Sequence, residues 1–196
     1  VAQAAIEQAS LRGVVVKVRS RGAASQQKVK QDAVGEDPPE SLVVEERGVP
    51  FEVHPGRGLN TGLFTDMREH RHSLARFTAG KAVLNGFGYT GTLSVVAARA
   101  GARSVTTVDL SSGVLGWARD NFRLSGLDPM APAFAFEASD AGRFLDGASR
   151  AGRRFDVILL DPPAFSAARG ASFAIDRDYP ELIARACRLL TEGGLL

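Results

Sequence analysis

The chain has 196 residues, 44% of them hydrophobic and 23% charged, with 24 Lys and Arg against 22 Asp and Glu. That composition is globular, long enough for one domain with an appendage or two small ones, and its near-balanced charge excludes a strongly basic arm as the organising feature. One cysteine, Cys187, excludes an internal disulfide framework, no run approaches the roughly 18 apolar residues of a membrane span, and the opening residues do not read as a signal peptide, so a cytoplasmic location is expected.

In chain order, Ala2 to Ser10 is alanine-rich and helical in propensity, and Gly13 to Arg19 is a strand of β-branched residues. Residues 20–41, Lys28 and Lys30 included, are polar without an apolar period and read as a mobile loop. Leu42–Glu46 and Val49–Val53, joined through Arg47-Gly48, predict a β-hairpin, with Pro50 limiting its strand to an edge or a start. His54 to Phe64 is a glycine-rich loop, and Thr65 to Thr78 predicts a helix with Met67, Leu74 and Phe77 apolar. His70 and His72 lack a carboxylate or cysteine at ligand spacing, so no metal site is expected.

From Lys81 the period becomes strand–helix–strand. Lys81-Ala-Val-Leu-Asn85 is a short apolar run, Gly86-Phe-Gly88-Tyr-Thr-Gly91 a glycine-rich turn, and Thr92 to Ala100 a helix. Ser104 to Val108 is a second strand ending in Asp109, and Ser111 caps a helix through Leu124. Trp117 reads as packing in the core or at a cofactor edge. Ala133 to Glu137 is strand three, followed by Ala138-Ser-Asp140 and a helix to about Leu145. Arg154 to Leu160 is strand four, ending in Asp161-Pro162-Pro163-Ala-Phe165; residues 166–176 read as a loop and Tyr179 to Leu190 as a helix in which Cys187 packs as a buried residue. A fifth strand starts at Gly193-Gly-Leu-Leu196, so the chain reads as part of a longer protein. Alternating β and α with short links predicts an α/β fold, a doubly wound parallel sheet, preceded by a small α+β hairpin domain. The expected division is 1–78 and 79–196.

Glycines let the turn after strand one fold tightly and let its backbone approach a ligand, while the helix that follows adds a partial positive charge. Asp109, at the end of strand two, is placed to accept hydrogen bonds from both ribose hydroxyls of a nucleoside. Those two features alone also fit a nicotinamide-dependent oxidoreductase. Two later ones favour a different cofactor: Asp140 can accept the exocyclic amine of an adenine, and Asp161 to Phe165 sits at the carboxyl edge, where Phe165 offers an aromatic face to a planar base.

Asn85 to Gly91, Val108-Asp-Leu-Ser111, Ala138-Ser-Asp140 and Asp161-Pro-Pro-Ala-Phe165 resemble the successive motifs of class I S-adenosylmethionine-dependent methyltransferases. Thr61-Gly-Leu-Phe-Thr-Asp-Met-Arg68 followed by Val83 to Gly91 resembles, more narrowly, the bacterial 23S rRNA (cytosine-5)-methyltransferases, with related guanine methyltransferases close in pattern. The resemblance implies S-adenosyl-L-methionine as cofactor, ribosomal RNA as partner, and methyl transfer to cytosine C5, or to guanine, a base amine or a small molecule. It implies that Asn85, Gly86, Phe87, Gly88, Tyr89 and Gly91 hold the methionine end, Asp109 the ribose and Asp140 the adenine, with Leu110 and Ser139 also binding the cofactor. Phe64 and Arg68 would close over the cofactor, and Asp161, Pro162, Pro163 and Phe165 would line the target-base pocket. Asn85 stands where the resemblance leads one to expect an aspartate, and keeps an acceptor without the charge. Gly88 stands where it leads one to expect a cysteine. The thiolate that C5 chemistry needs is expected beyond Leu196.

Overall fold

The computed structural model describes residues 2–19, 29–58, 60–168 and 171–196, without the side chains of Arg19, Val29, Lys30, residues 165–168 and residues 171–172. The chain forms two compact units, Val1–Val44 with Glu52–Phe64, and Glu45–Phe51 with Thr65–Leu196.

The first unit begins with helix α1 (Ala2–Ala9) and a hairpin of β1 (Gly13–Arg19) and β2 (Val29–Gly35), paired antiparallel from Gly13↔Gly35 to Arg19↔Val29. Residues 29–35 are therefore a strand and not part of a loop. Lys30, Gln31 and Asp32 hid it, because pairing with the valines of β1 supplies what its own polar composition does not. The rest of the expected loop, residues 20–28 with Lys28, lies outside the described residues. A second hairpin, β3 (Leu42–Glu46) and β4 (Val49–Val53), turns at Arg47 and Gly48 with φ of 51° and 77°, the positive pair that a two-residue turn between twisted strands requires. The division between the units runs through this hairpin.

The second unit carries a five-stranded sheet. A 3₁₀ turn (Thr65–Met67) leads into α2 (Arg68–Thr78), followed by β5 (Ala82–Gly86), α3 (Thr92–Arg99), β6 (Ser104–Asp109), α4 (Ser112–Leu124), β7 (Phe134–Ala138), α5 (Ala141–Arg150) and β8 (Phe155–Leu160). A short antiparallel hairpin, β9 (Phe165–Ala168) and β10 (Ala171–Ala174), precedes α6 (Ile175–Cys187) and β11 (Leu190–Leu195). The strand order is β11-β8-β5-β6-β7, all parallel. Residues 166–176, read as a loop, hold most of the hairpin strands and the first two residues of α6. Strand β11 starts at Leu190, earlier than the two glycines suggested; Gly193, at φ 71°, sits where its pairing with β8 shifts register.

Burial explains the elements. Strand β5 is buried on both faces, as a central parallel strand must be. Its even positions, Ala82 and Leu84, join Ile158, Leu145, Leu182 and Leu189 in one apolar cluster, each large side chain contributing roughly 1.5–3 kcal/mol on removal from water. At the amino edge of the sheet, the Asp156 carboxylate ties three strands together. It accepts from the Ala82 N–H at 2.8 Å, Arg103 Nη2 at 3.1 Å and the Thr191 hydroxyl at 2.9 Å. The Ala82 bond above all holds its pKa below the usual aspartate value. Arg71 of α2 is buried but not alone: its Nε and Nη2 donate to the two Glu46 oxygens at 2.8 and 2.6 Å. That bidentate geometry is what makes a buried guanidinium tolerable.

Cys187 is exposed, not buried. It closes α6 just before β11, whose first residue, Leu190, pairs with Phe155, the first of β8. The thiol therefore belongs to the amino edge of the sheet.

Candidate functional site

In this sheet the chain runs from β5 outwards through β6 to β7, then returns to β8 on the other side of β5. The strand order thus reverses between β5 and β8, and a crevice opens outside the carboxyl ends at such a point. The register brings those ends level: Gly86 pairs with Leu160 on one side and Val108 on the other, and Asp109 pairs with Ala138. Phe87, Asp109, Ser139 and Asp161 consequently leave the sheet along one edge.

The loop from Gly86 to Gly91 is pinned from below. The Gly88 N–H donates to the Val108 carbonyl at 2.8 Å, and the Tyr89 N–H donates to Asp109 Oδ2 at 3.0 Å. The buried Asn121 amide of α4 donates to the Thr90 carbonyl at 2.8 Å. The turn's left-handed residues are Phe87 (φ 61°), Tyr89 (φ 47°) and Gly91 (φ 72°), not Gly86 or Gly88. Gly86 and Gly88 are instead demanded by packing. A Cβ at 86 would stand 2.8 Å from a Leu160 methyl, and at 88 it would stand 2.5 Å from Thr107 Cγ2. Gly91 meets both demands, since its Cβ would lie 2.8 Å from that of Ala118. The aromatic side chains lean on neighbours: Phe87 on Phe173 at 5.8 Å between centroids, Tyr89 on the half-buried Trp117 at 6.2 Å.

Under the loop lies a polar network that sequence reading passed over. Asn85 and Thr107 occupy the face of the sheet toward α3, where Asn85 Nδ2 donates to Ser94 Oγ at 2.9 Å and the Thr107 hydroxyl donates to the same oxygen at 2.8 Å. All three residues are buried, and Asn85 Oδ1 is left with no hydrogen-bond partner. An orphaned buried acceptor costs roughly 1–3 kcal/mol, and a ligand donor would relieve it. The only earlier signal was that Ser94 and Thr107 are polar residues in otherwise apolar segments.

At the end of β6, Asp109 also accepts from the Ser111 N–H at 2.9 Å through Oδ1. Each carboxylate oxygen then keeps a free lone pair for a further donor. Leu110 beside it is half exposed. Asp140 caps α5, Oδ1 accepting from the Arg143 N–H at 2.9 Å, while Ser139 donates its N–H to the Asp109 carbonyl at 3.0 Å. Asp161 follows β8. Its carboxyl keeps access to solvent, yet the protein around it removes enough water to push its pKa above the usual aspartate value; Asp66 adds to the rise and His70 opposes it. Asp66 and His70, on the turn and first coil of α2, thus share the electrostatic environment of the Asp161-Pro162-Pro163 turn. Among the described residues no cluster of His, Cys, Asp and Glu could hold a metal ion, and no helix is long and apolar enough to cross a membrane. Arg68 is exposed on α2, and Phe64, in the first unit, is 44% exposed. Phe165 opens β9; its side chain lies outside the described residues.

Fold and site define a doubly wound α/β domain whose Asp109, Asp140 and Asp161 gather at the carboxyl edge of its sheet. The chain belongs to the S-adenosylmethionine-dependent methyltransferase family, whose profile matches residues 2–196. It is 40% identical over 183 residues to the ribosomal RNA large subunit methyltransferase K of Neisseria meningitidis serogroup B, a match covering 92% of this chain and 50% of that protein. It is 38% identical over 162 residues to the ribosomal RNA large subunit methyltransferase I of Aeromonas salmonicida, covering 83% and 40%. Among solved structures it is similar to SMU.776, a putative methyltransferase complexed with S-adenosylhomocysteine (SAH), with a TM-score of 0.77 and 35% identity over 83% of this chain and 42% of that one. The chain spans half or less of the length of these relatives. The residues present suit the family's cofactor, S-adenosylmethionine: the orphaned Asn85 oxygen and the spare lone pairs of Asp109 are acceptors of the kind that a ligand with an ammonium group and two ribose hydroxyls requires.

Proposed function

We propose that the protein to which this chain belongs transfers a methyl group from S-adenosylmethionine to a base of large-subunit ribosomal RNA, in the cytoplasm. The observation that carries this reading is the level pairing of Gly86 with Leu160, which sets the cofactor loop beside the Asp161-Pro162-Pro163 turn at the switch point; the names of the relatives supply the RNA. In this reading Asn85 and the backbone of residues 86–91 hold the methionine end, Asp109 with Leu110 the ribose, and Ser139 with Asp140 the adenine. Arg68 covers the cofactor, and Phe165 stacks on the acceptor base. The bound cofactor supplies an electrophilic methyl group. The chain's own part is to hold the acceptor atom in line with it and to exclude water.

For the acceptor atom, carbon 5 of cytosine requires a thiolate that adds to the ring. Cys187, the single cysteine of these residues, belongs to the opposite edge of the sheet, so this assignment needs a thiolate from outside them. Asp161 favours a second reading, a nitrogen of guanine. Its carboxylate accepts hydrogen bonds and suits a base edge that presents N–H groups. The test is transfer of tritiated methyl by the full-length enzyme to an unmodified large-subunit rRNA transcript, followed by nucleoside analysis. Methylguanosine supports the second reading and 5-methylcytidine the first; a labelled small metabolite with the RNA untouched refutes the RNA assignment.

A further inference from the structure

Phe87 stands where glycine would be easier. At φ 61° it holds the left-handed conformation, which strains an L side chain and would not strain glycine, and the loop is anchored through its neighbours, by the Gly88 and Tyr89 N–H groups and the Thr90 carbonyl. The phenyl ring lies half-buried against the apolar cluster and, among the described residues, meets the ring of Phe173 of β10 at 5.8 Å and 50°. Strand β10 is no free arm. Phe173 pairs with Ser166, and Ala174 with Phe165, the residue that opens β9. The neck of this hairpin is closed once more, the Ile175 N–H donating to the Ala164 carbonyl at 3.1 Å, and its end is fastened to α6 by the Ala174 N–H, which donates to Asp178 Oδ2 at 2.8 Å.

A short line of contacts therefore runs from the cofactor loop, through two phenyl rings, to the backbone that carries Phe165. We infer that the Phe87–Phe173 contact is a positioning device, tying the hairpin on the base side of the crevice to the cofactor loop so that cofactor and acceptor base strengthen each other's binding. Its base-side half rests on the reading that Asp161 to Phe165 receives the base. A ligand that settles the loop settles the Phe87 ring, and the ring limits where Phe173 and its paired strand can stand. By linkage the effect is mutual.

The test uses the full-length protein and two readouts. Hydrogen exchange at the Ala174 and Ile175 amides is followed with and without saturating SAH. In the wild type SAH should slow both amides by roughly 5- to 150-fold, the span of ordinary coupling between sites. Phe173→Ala should lose most of that slowing while still binding SAH, and Phe173→Leu, a milder change that guards against misfolding, should retain part of it. In methyl transfer to the rRNA transcript, Phe173→Ala should raise the KM for RNA far more than that for S-adenosylmethionine. Equal slowing in Phe173→Ala and wild type, or none in the wild type, overturns the inference. Slowing that depends on Phe173 in an enzyme that leaves the RNA untouched overturns the RNA reading and the base-side half, while the tie between loop and hairpin stands.

Discussion

Gly88→Ala separates two reasons for a glycine in the loop from Gly86 to Gly91. If Gly88 serves ligand approach, alanine should cost affinity and leave stability alone. The geometry says otherwise: the new Cβ would stand 2.5 Å from Thr107 Cγ2, with the next neighbours, the Asn85 amide and carbonyl, at 3.4 Å. Thr107 is fully buried and its hydroxyl is engaged with Ser94, so the methyl cannot swing away. Overpacking of this kind costs about 1–3 kcal/mol, and at about 2–4 °C per kcal/mol for a chain of this size the melting temperature should fall by roughly 2–12 °C. Thr107→Ser removes the colliding methyl and keeps the hydroxyl. Alone it should cost about 0.5–1.5 kcal/mol, the usual toll for one buried methyl. Combined with Gly88→Ala it should restore most of the lost stability, giving a coupling of about 0.5–3 kcal/mol in a double-mutant cycle. The assay is thermal and denaturant unfolding of the four proteins, with SAH titrated into each. If Gly88→Ala is as stable as the wild type, or Thr107→Ser brings no relief while SAH affinity has dropped, the packing argument is wrong.

Asp156→Asn should destabilise the protein by about 1–3 kcal/mol, because an amide cannot accept from Ala82, Thr191 and Arg103 together. The carboxyl is held below its ordinary value, so the stability it adds is present above the unfolded pKa of about 3.9 and lost as pH falls through the lowered folded value. Unfolding curves below about pH 4 should therefore lose part of their pH dependence in the variant, and unchanged curves would exclude the tie. Asp161 has the opposite sign. Its carboxyl protonates above the ordinary aspartate range, so the acid limb of methyl transfer should lie above about pH 3.9. Asp66→Asn removes a like charge and should move that limb to lower pH, and His70→Asn removes a cation and should move it to higher pH. A pH profile of kcat/KM that is indifferent to both changes would show that Asp161 is not the titrating group.

The alternation from Lys81 onward made the sheet readable from residues alone, because buried parallel strands advertise themselves as short apolar runs between turn signals. Asp109, Asp140 and Asp161 could be placed on one edge for the same reason: Asp109 and Asp161 directly follow such a run, and Asp140 comes within a few residues of one. What stayed hidden depended on partners distant in sequence. Strand β2 is polar and exists by pairing with β1, and the β9–β10 hairpin is held by Ala164 and Asp178 and not by a hydrophobic period of its own. The glycines were recognisable, but not which residues take the left-handed turn, since nothing in the sequence of Phe87 or Tyr89 announces a positive φ. Cys187 looked buried because α6 is rich in apolar residues, yet Leu182 and Ala186 take its inner face and leave the thiol outside. The Asn85–Ser94–Thr107 network joins a strand, a helix and a second strand, and only the fold brings them together.

The central claim is that the edge formed by Asn85, Asp109 and Asp140 grips S-adenosylmethionine. Calorimetric titration of the full-length protein with SAH, wild type against Asp109→Ala, tests it most directly. Loss of the two ribose bonds should weaken binding by about 1–3 kcal/mol, or 5- to 150-fold, with NADH failing to compete in either protein. Equal SAH affinity in the two proteins, or tight NADH binding that SAH does not displace, would contradict it.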